Sequence, residues 1–344
     1  ASGVVTGLTT VTGGTLNTAG ALNGGLNNSA TVNASGSIKG AINNNAGLFT
    51  VVGDLSSDNA STFTNAAGAT LDVKTGAFSN LATLANAGVV TVESNLAATT
   101  INQNGPTFTI AGTGAVTAAT FAQNAGVLTV AGVLTVSGGL AVNGGDAENN
   151  GAIVGAGTNS ATFNNNVTGS VSGGLTNAKG AATNAGVIAG GVRVNGGVFT
   201  QTQTGATSGG LVNAAAGAVV AQGLVFGGVS NAGLFVVSGN LNNNGGDFLN
   251  TGAGSLSFAA DNIALTGVGT LSNTSSANPG ISLGFAGDRI AAATISNAAG
   301  AFIVSKGVLT ATGDINNAAG GTINSSGSLI AGGNILNAGA LTST

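Results

Sequence analysis

Cysteine, methionine, tryptophan, tyrosine and histidine are all absent from this chain. Without cysteine there are no disulfides and no redox signal. Without histidine or cysteine, catalytic triads and dyads that use those residues are excluded, as are zinc sites of the usual kind. The missing types include the most readily oxidised side chains, which suits long exposure outside a cell. Charge is scarce too: 5% of residues are charged, against about 25% in an ordinary globular domain. The six basic residues, Lys39, Lys74, Lys179, Arg193, Arg289 and Lys306, are scattered. They leave no footprint for nucleic acid or an anionic membrane surface. The most apolar stretches, such as Val127 to Val136, are broken by Gly and Thr, well short of the ~18 residues of a spanning helix. Proline occurs twice and glycine has no three-residue period, which excludes collagen. No signal peptide is visible, and Ala1-Ser2-Gly3 reads as a mature terminus left by processing.

What the chain does have is glycine, 62 residues of 344, and 43% apolar residues with a mean hydropathy of +0.43. Disorder needs low hydrophobicity as well as few large side chains, so there is ample material here for a core. The apolar residues follow a repeat, and repeats decide architecture first. The recurring word is Asn-Ala-Gly, or a close variant, followed by apolar alternation, as in Asn86-Ala87-Gly88-Val89-Val90-Thr91-Val92. Its marker asparagines are Asn45, Asn65, Asn86, Asn104, Asn124, Asn184, Asn195, Asn213, Asn231, Asn297, Asn317 and Asn337, and the period is 18 to 21 residues.

Within one period short β-rich runs alternate with breaks of Gly, Asn or Ser, as in Thr322 to Asn337. No segment sustains helical periodicity. The expected fold is therefore all-β: a parallel β-helix, or β-solenoid, with about three short strands per coil. It is right-handed by the rule for parallel crossovers. One continuous solenoid is expected over 1–344, with irregular segments near 144–170 and 250–295. Equivalent residues stack one coil apart at about 4.8 Å, making a rod of roughly 80 Å. The fourth position after the marker asparagine gives one inward stack: Phe49, Val90, Phe108, Leu128, Ile188, Phe199, Phe235, Phe248 and Leu341. Equivalent asparagines can form amide ladders, and glycine serves corners that need positive φ.

The stretch from Val308 to Thr344, with Gly313-Asp314-Ile315-Asn316-Asn317-Ala318-Ala319-Gly320 and Gly332-Gly333-Asn334-Ile335-Leu336-Asn337-Ala338-Gly339, resembles the twenty-residue repeats of filamentous-haemagglutinin-like exoproteins. It is also similar to coils of autotransporter passenger domains of Gram-negative bacteria. The resemblance implies export to the bacterial cell surface or beyond, and a role in adhesion, biofilm or surface coating. A secretion domain for two-partner export and a C-terminal membrane barrel are not recognisable, so a processed fragment or another export route is implied.

Chemistry is sparse. Five acids follow glycine, at Asp54, Asp146, Asp247, Asp288 and Asp314, and Asn240 and Asn334 take matching places. They are expected as interchangeable turn residues at one corner. The pairs Asp54/Asp58 and Asp146/Glu148 supply too few oxygens for calcium, which wants six to eight, and the calcium nonapeptide repeat is missing. Asp288 and Arg289 read as a local ion pair. No catalytic residue, metal or cofactor is expected. Thr-x-Thr pairs at Thr10, Thr62, Thr107, Thr200 and Thr310 fall in different slots, which disfavours an ice-binding array. A polysaccharide-active enzyme lacks its aromatic platforms. The expectation is an extracellular structural or adhesive rod whose partner is itself, head to tail or laterally, or a host or abiotic surface. The alternative is a self-assembling filament subunit. Any receptor site is expected in the two irregular segments.

Overall fold

The computed structural model describes residues 3–344, and among them there is no helix. The chain is a parallel β-solenoid of about 18 turns. It divides into two units, Ala1–Ser172 and Gly173–Thr344, where the repeat alone suggested one. Each coil lays a strand on each of three faces. In the first unit Ile42–Asn44 lie on the first, Thr107–Ile110 on the second and Val133–Val136 on the third; within the second unit, Leu211–Asn213, Thr322–Ser325 and Val308–Ala311 take the corresponding three places. Some strands turn a corner unbroken. Ala77–Asn86 runs from the third face to the first and absorbs the bend as a register shift between Phe78 and Leu81.

The glycine of the repeated word is dictated by this stacking. Gly88, Gly105, Gly126 and Gly145 follow one another where the first face turns into the second. A Cβ on Gly105 would collide with the carbonyl oxygen of Gly88, one on Gly126 with that of Gly105, and one on Gly145 with that of Gly126. Gly126 and Gly145 also hold φ of 68° and 70°, left-handed values that side chains disfavour.

Alternation on each strand sends apolar side chains inward in three stacks. Phe49, Val90, Phe108 and Leu128 share the second-face stack of the first unit with Leu71 between the first two. Phe199, Phe235 and Leu341 share that of the second unit. Two expected members lie elsewhere: Ile188 pairs with Thr207 on the third face, and Phe248 sits between Val229 and Leu271 on the first. Counting from the marker mixed the faces, because corners differ in length. Where the three stacks meet, Phe49, Phe63 and Phe78 converge. Phe63 packs edge-on against the other two at 5.1 and 5.7 Å, and Phe49 stacks on Phe78 at 6.3 Å. Each such pair adds about 0.5–1.5 kcal/mol beyond its burial.

Beside the first-face stack runs a column of buried carboxamides. In the first unit the Nδ2 of Asn28 donates to Oδ1 of Asn44 (2.7 Å), Asn44 to Asn65 (2.8 Å), and Asn65 to Asn86 (2.7 Å), which donates in turn to Gln103. In the second unit six bonds of 2.7–3.1 Å link Asn213, Asn231, Asn250, Asn273, Asn297, Asn317 and Asn337. Every donor points toward the following coil. Most of these amides also donate to a backbone carbonyl of that coil, as Asn65 does to Val89 and Asn213 to Leu234 (both 2.9 Å), whereas Asn86 and Asn337 donate to Gly88 and Gly339 of their own corners. Buried polar groups must find partners, and this column satisfies them.

Seven markers, Asn65, Asn86, Asn213, Asn231, Asn297, Asn317 and Asn337, stand in the column. Asn45, Asn104, Asn124 and Asn195 do not: they are exposed, one residue past it, and Asn44, Gln103, Gln123 and Val194 occupy their slots. The word locates the corner, whereas strand parity fixes which residue turns inward. Asn184 is buried on the second face, opposite Gln201.

The segment 144–170 proves regular. Its strands stack in register; Asn159 is buried on the first face, and on the second face buried Asn149 donates to Asn165 at 2.7 Å. The segment 250–295 does depart. Coils elsewhere shrink to 16 residues, but Asn273 and Asn297 are 24 apart. The surplus forms turns around 259–263, 274–280 and 284–288 while the inward slots stay aligned.

The second unit's column begins with a fault: Val194 lies against Asn213, whose buried Oδ1 has no hydrogen-bond partner. A buried orphan costs about 1–3 kcal/mol. Val194→Asn supplies the missing donor and is expected to leave stability within about 1 kcal/mol of the parent. Val192→Asn, equally buried but in the apolar stack, should cost about 3 kcal/mol. Paired denaturant melts check the contrast.

Candidate functional surface

The acids that follow glycine do not share one corner. Asp54 and Asn240 precede third-face strands, Asp247 and Asp314 precede first-face strands, and Asp146 begins a second-face strand. Four of these side chains nevertheless do the same job. Asp54 accepts the N–H of Ala77 (3.0 Å), Asn240 that of Ala264 (3.0 Å), Asp247 that of Thr270 (2.7 Å) and Asp314 that of Asn334 (2.7 Å). In each case the donor lies one coil further on, at or near the point where the chain enters a new face. Asp58 works locally, accepting from Ser61 Oγ and from the N–H groups of Ala60 and Gly40. The Ser61 hydroxyl, ahead of these N–H groups, holds its carboxyl below the usual value. Among the described residues, no group of three or more carboxylates is gathered as a metal would require.

Asp288 and Arg289 part company. Asp288, at the end of the 284–288 turn, is completely buried, while Arg289, which begins the next strand, is exposed, so the expected ion pair is replaced by an inward carboxylate. Its Oδ2 accepts the N–H of Phe285 at 3.1 Å while Oδ1 is without a hydrogen bond. Burial pushes its pKa up, with backbone N–H groups of Phe285, Ile263 and Gly284 opposing and Asp261 reinforcing. Asp72, between Thr50 and Thr91 on the outer second face, is also raised, by burial first and then by Glu93, against Lys74.

The stretched turns of the second unit make the most prominent surface feature. Phe285, 42% exposed, projects from the 284–288 turn, and Gly287 donates to Asp261 Oδ1 at 2.8 Å, tying that turn to the one at 259–263. Two shallow grooves follow the corner from third face to first. One of about 300 Å³ is lined by Asn59, Asn80, Thr99, Thr117 and Thr135 among alanines, and one of about 410 Å³ by Gly245, Gly267, Val268 and Ala291 to Ala293. Neither holds a charged side chain. The Thr-x-Thr pairs are split between faces, Thr62 and Thr64 on the first and Thr107 and Thr109 on the second. A column the pairs did not reveal is Thr62, Thr83, Thr100 and Thr120, in register on the first face. It is found by reading the residue before each inward apolar residue of that face.

The buried glutamines and asparagines that word-counting missed, among them Asn44, Gln103, Asn250 and Asn273, carry a simple signal: apolar, any residue, then Asn or Gln. Ile42-Asn43-Asn44, Ile101-Asn102-Gln103, Phe248-Leu249-Asn250 and Leu271-Ser272-Asn273 all obey it.

Two outcomes follow from the carboxylates. Asp247→Ala strands the Thr270 N–H and should cost about 1 kcal/mol in a thermal melt, whereas Asp247→Asn should be close to neutral. A raised folded pKa at Asp288 contributes stability that is full below the ordinary aspartate value of 3.8 and is lost as pH rises through the raised value. The Tm of Asp288→Asn relative to the parent should therefore be higher at pH 7 than at pH 3.

Among the described residues, no helix is long and apolar enough to cross a membrane. Comparison with protein-family models, with curated proteins and with solved structures finds no match for this chain.

Proposed function

We propose that the chain is an extracellular structural or adhesive β-solenoid, a surface rod or fibre and not a catalyst. The observation that carries this reading is where the side-chain chemistry goes. Amides are spent inside on coil-to-coil bonds, and four corner side chains are spent on N–H groups of neighbouring coils. What reaches the surface is largely hydroxyl, amide and small apolar groups. Such a surface suits durable contact with other surfaces more than binding and turning over a small molecule. The resemblance of the Val308–Thr344 repeats to haemagglutinin-like exoproteins supports an exported product, and the lack of oxidisable side chains is in keeping with it. On this reading the turns at 259–263 and 284–288, with Phe285, are the first place to seek a receptor contact.

A second reading, a filament subunit that stacks coil on coil, is favoured by the register itself, since any coil is a template for another. Electron microscopy of purified protein, with antibody labelling of intact source cells, separates the readings. Labelled cells and separate elongated particles are expected for a stalk or adhesin, and long uniform filaments for the alternative. Label confined to the cell interior would overturn both.

A further inference from the structure

The carboxamide column of the first unit does not run its full length, and the place where it lapses is defined by two residues. Asn28 to Asn86 form an unbroken run that reaches Gln103. There the extra methylene of glutamine changes the outcome. Gln103 Nε2 curls back to its own corner and donates to the carbonyl of Gly105 at 2.9 Å. Gln123 does the same, donating to Ala125 (2.7 Å) and Gly126 (3.1 Å), and its buried Oε1 is left without a partner. The next slot is Val142, which offers nothing. Buried amide bonds resume on the second face at Asn149 and Asn165.

Two successive junctions, Gln103 to Gln123 and Gln123 to Val142, are thus crossed by no buried side-chain hydrogen bond. The side-chain links that remain are outside. Asn143 donates to Asn124 (2.9 Å), Asn124 to Asn104 (3.1 Å), and Thr120 to Thr100 (3.4 Å), all of them exposed. Exposed bonds compete with water and hold little. The backbone pairing itself keeps register here, so what differs is the strength of coupling between coils and not the fold. Local opening in proteins follows such differences.

We propose that residues 101–142 form a built-in yielding seam, which opens and recloses while the amide-linked coils from Ile42 to Asn86 stay shut. In a surface fibre such a seam would give under load before the rest of the unit and recover afterwards. The inference concerns the seam alone and holds whether or not the chain is a fibre.

Amide hydrogen exchange on the whole native chain, followed by mass spectrometry, tests it. Strand amides between 101 and 142 should exchange about five- to tenfold faster than those between 42 and 86, the effect of about one buried hydrogen bond. In the Gln103→Asn/Gln123→Asn variant the shorter amides can meet, so exchange across 101–123 should slow by a similar factor while 133–142 stays fast. Equal protection across the native coils overturns the proposal, and so does a folded variant whose exchange across 101–123 is unchanged. The native comparison decides alone if the variant does not fold.

Discussion

Everything in this molecule answers to the requirement that each residue lie over its equivalent one coil away, at the spacing of hydrogen-bonded parallel strands. Backbone hydrogen bonds run between coils, so a side chain meets its own kind above and below. Apolar groups then form stacks, as at Val90, Phe108 and Leu128. Glycine recurs where one coil's carbonyl fills the space another's Cβ would need. A buried polar group is best satisfied where its vertical neighbour can bond it, and carboxamides, which carry donor and acceptor together, meet that condition.

The same requirement explains why so few charges are present. A carboxylate stacked on a carboxylate repels, so acids stand apart from one another. Asp54, Asp247 and Asp314 sit at corners where the neighbour is a backbone N–H. Asp72 and Glu148 stand on outer strand positions beside threonine and asparagine, and Asp288 is buried within a turn and held by the backbone around it.

The architecture was legible in the sequence because the repeat and the strand chemistry agree, and the fold class follows from both. Positions within the coil were less legible. The Asn-Ala-Gly word tracks the corner, and at Asn44-Asn45 the corner residue and the inward residue are both asparagine. Only the alternation counted from Ile42 separates them. Phe248 was assigned to the wrong face because spacing from a marker ignores how many residues a corner absorbs. The 144–170 segment looked irregular because the Asn-Ala-Gly word is missing there, although the strands of the coil stay in register. The stretched turns of 250–295 were visible, since Pro279 and the missing word mark them, but the inward turn of Asp288 was not: it ends a turn and belongs to no strand whose alternation could be counted.

The direction of the amide column carries one more consequence. In the run from Asn213 to Asn337 every amide donates the same way. Aligned amide dipoles add along the axis as peptide dipoles do along a helix. The run is therefore an electrical vector, with its negative end at the orphaned oxygen of Asn213. A coil presented upside down would bring donor against donor. The column thus gives the stack a direction along its axis that the apolar side chains alone would scarcely set.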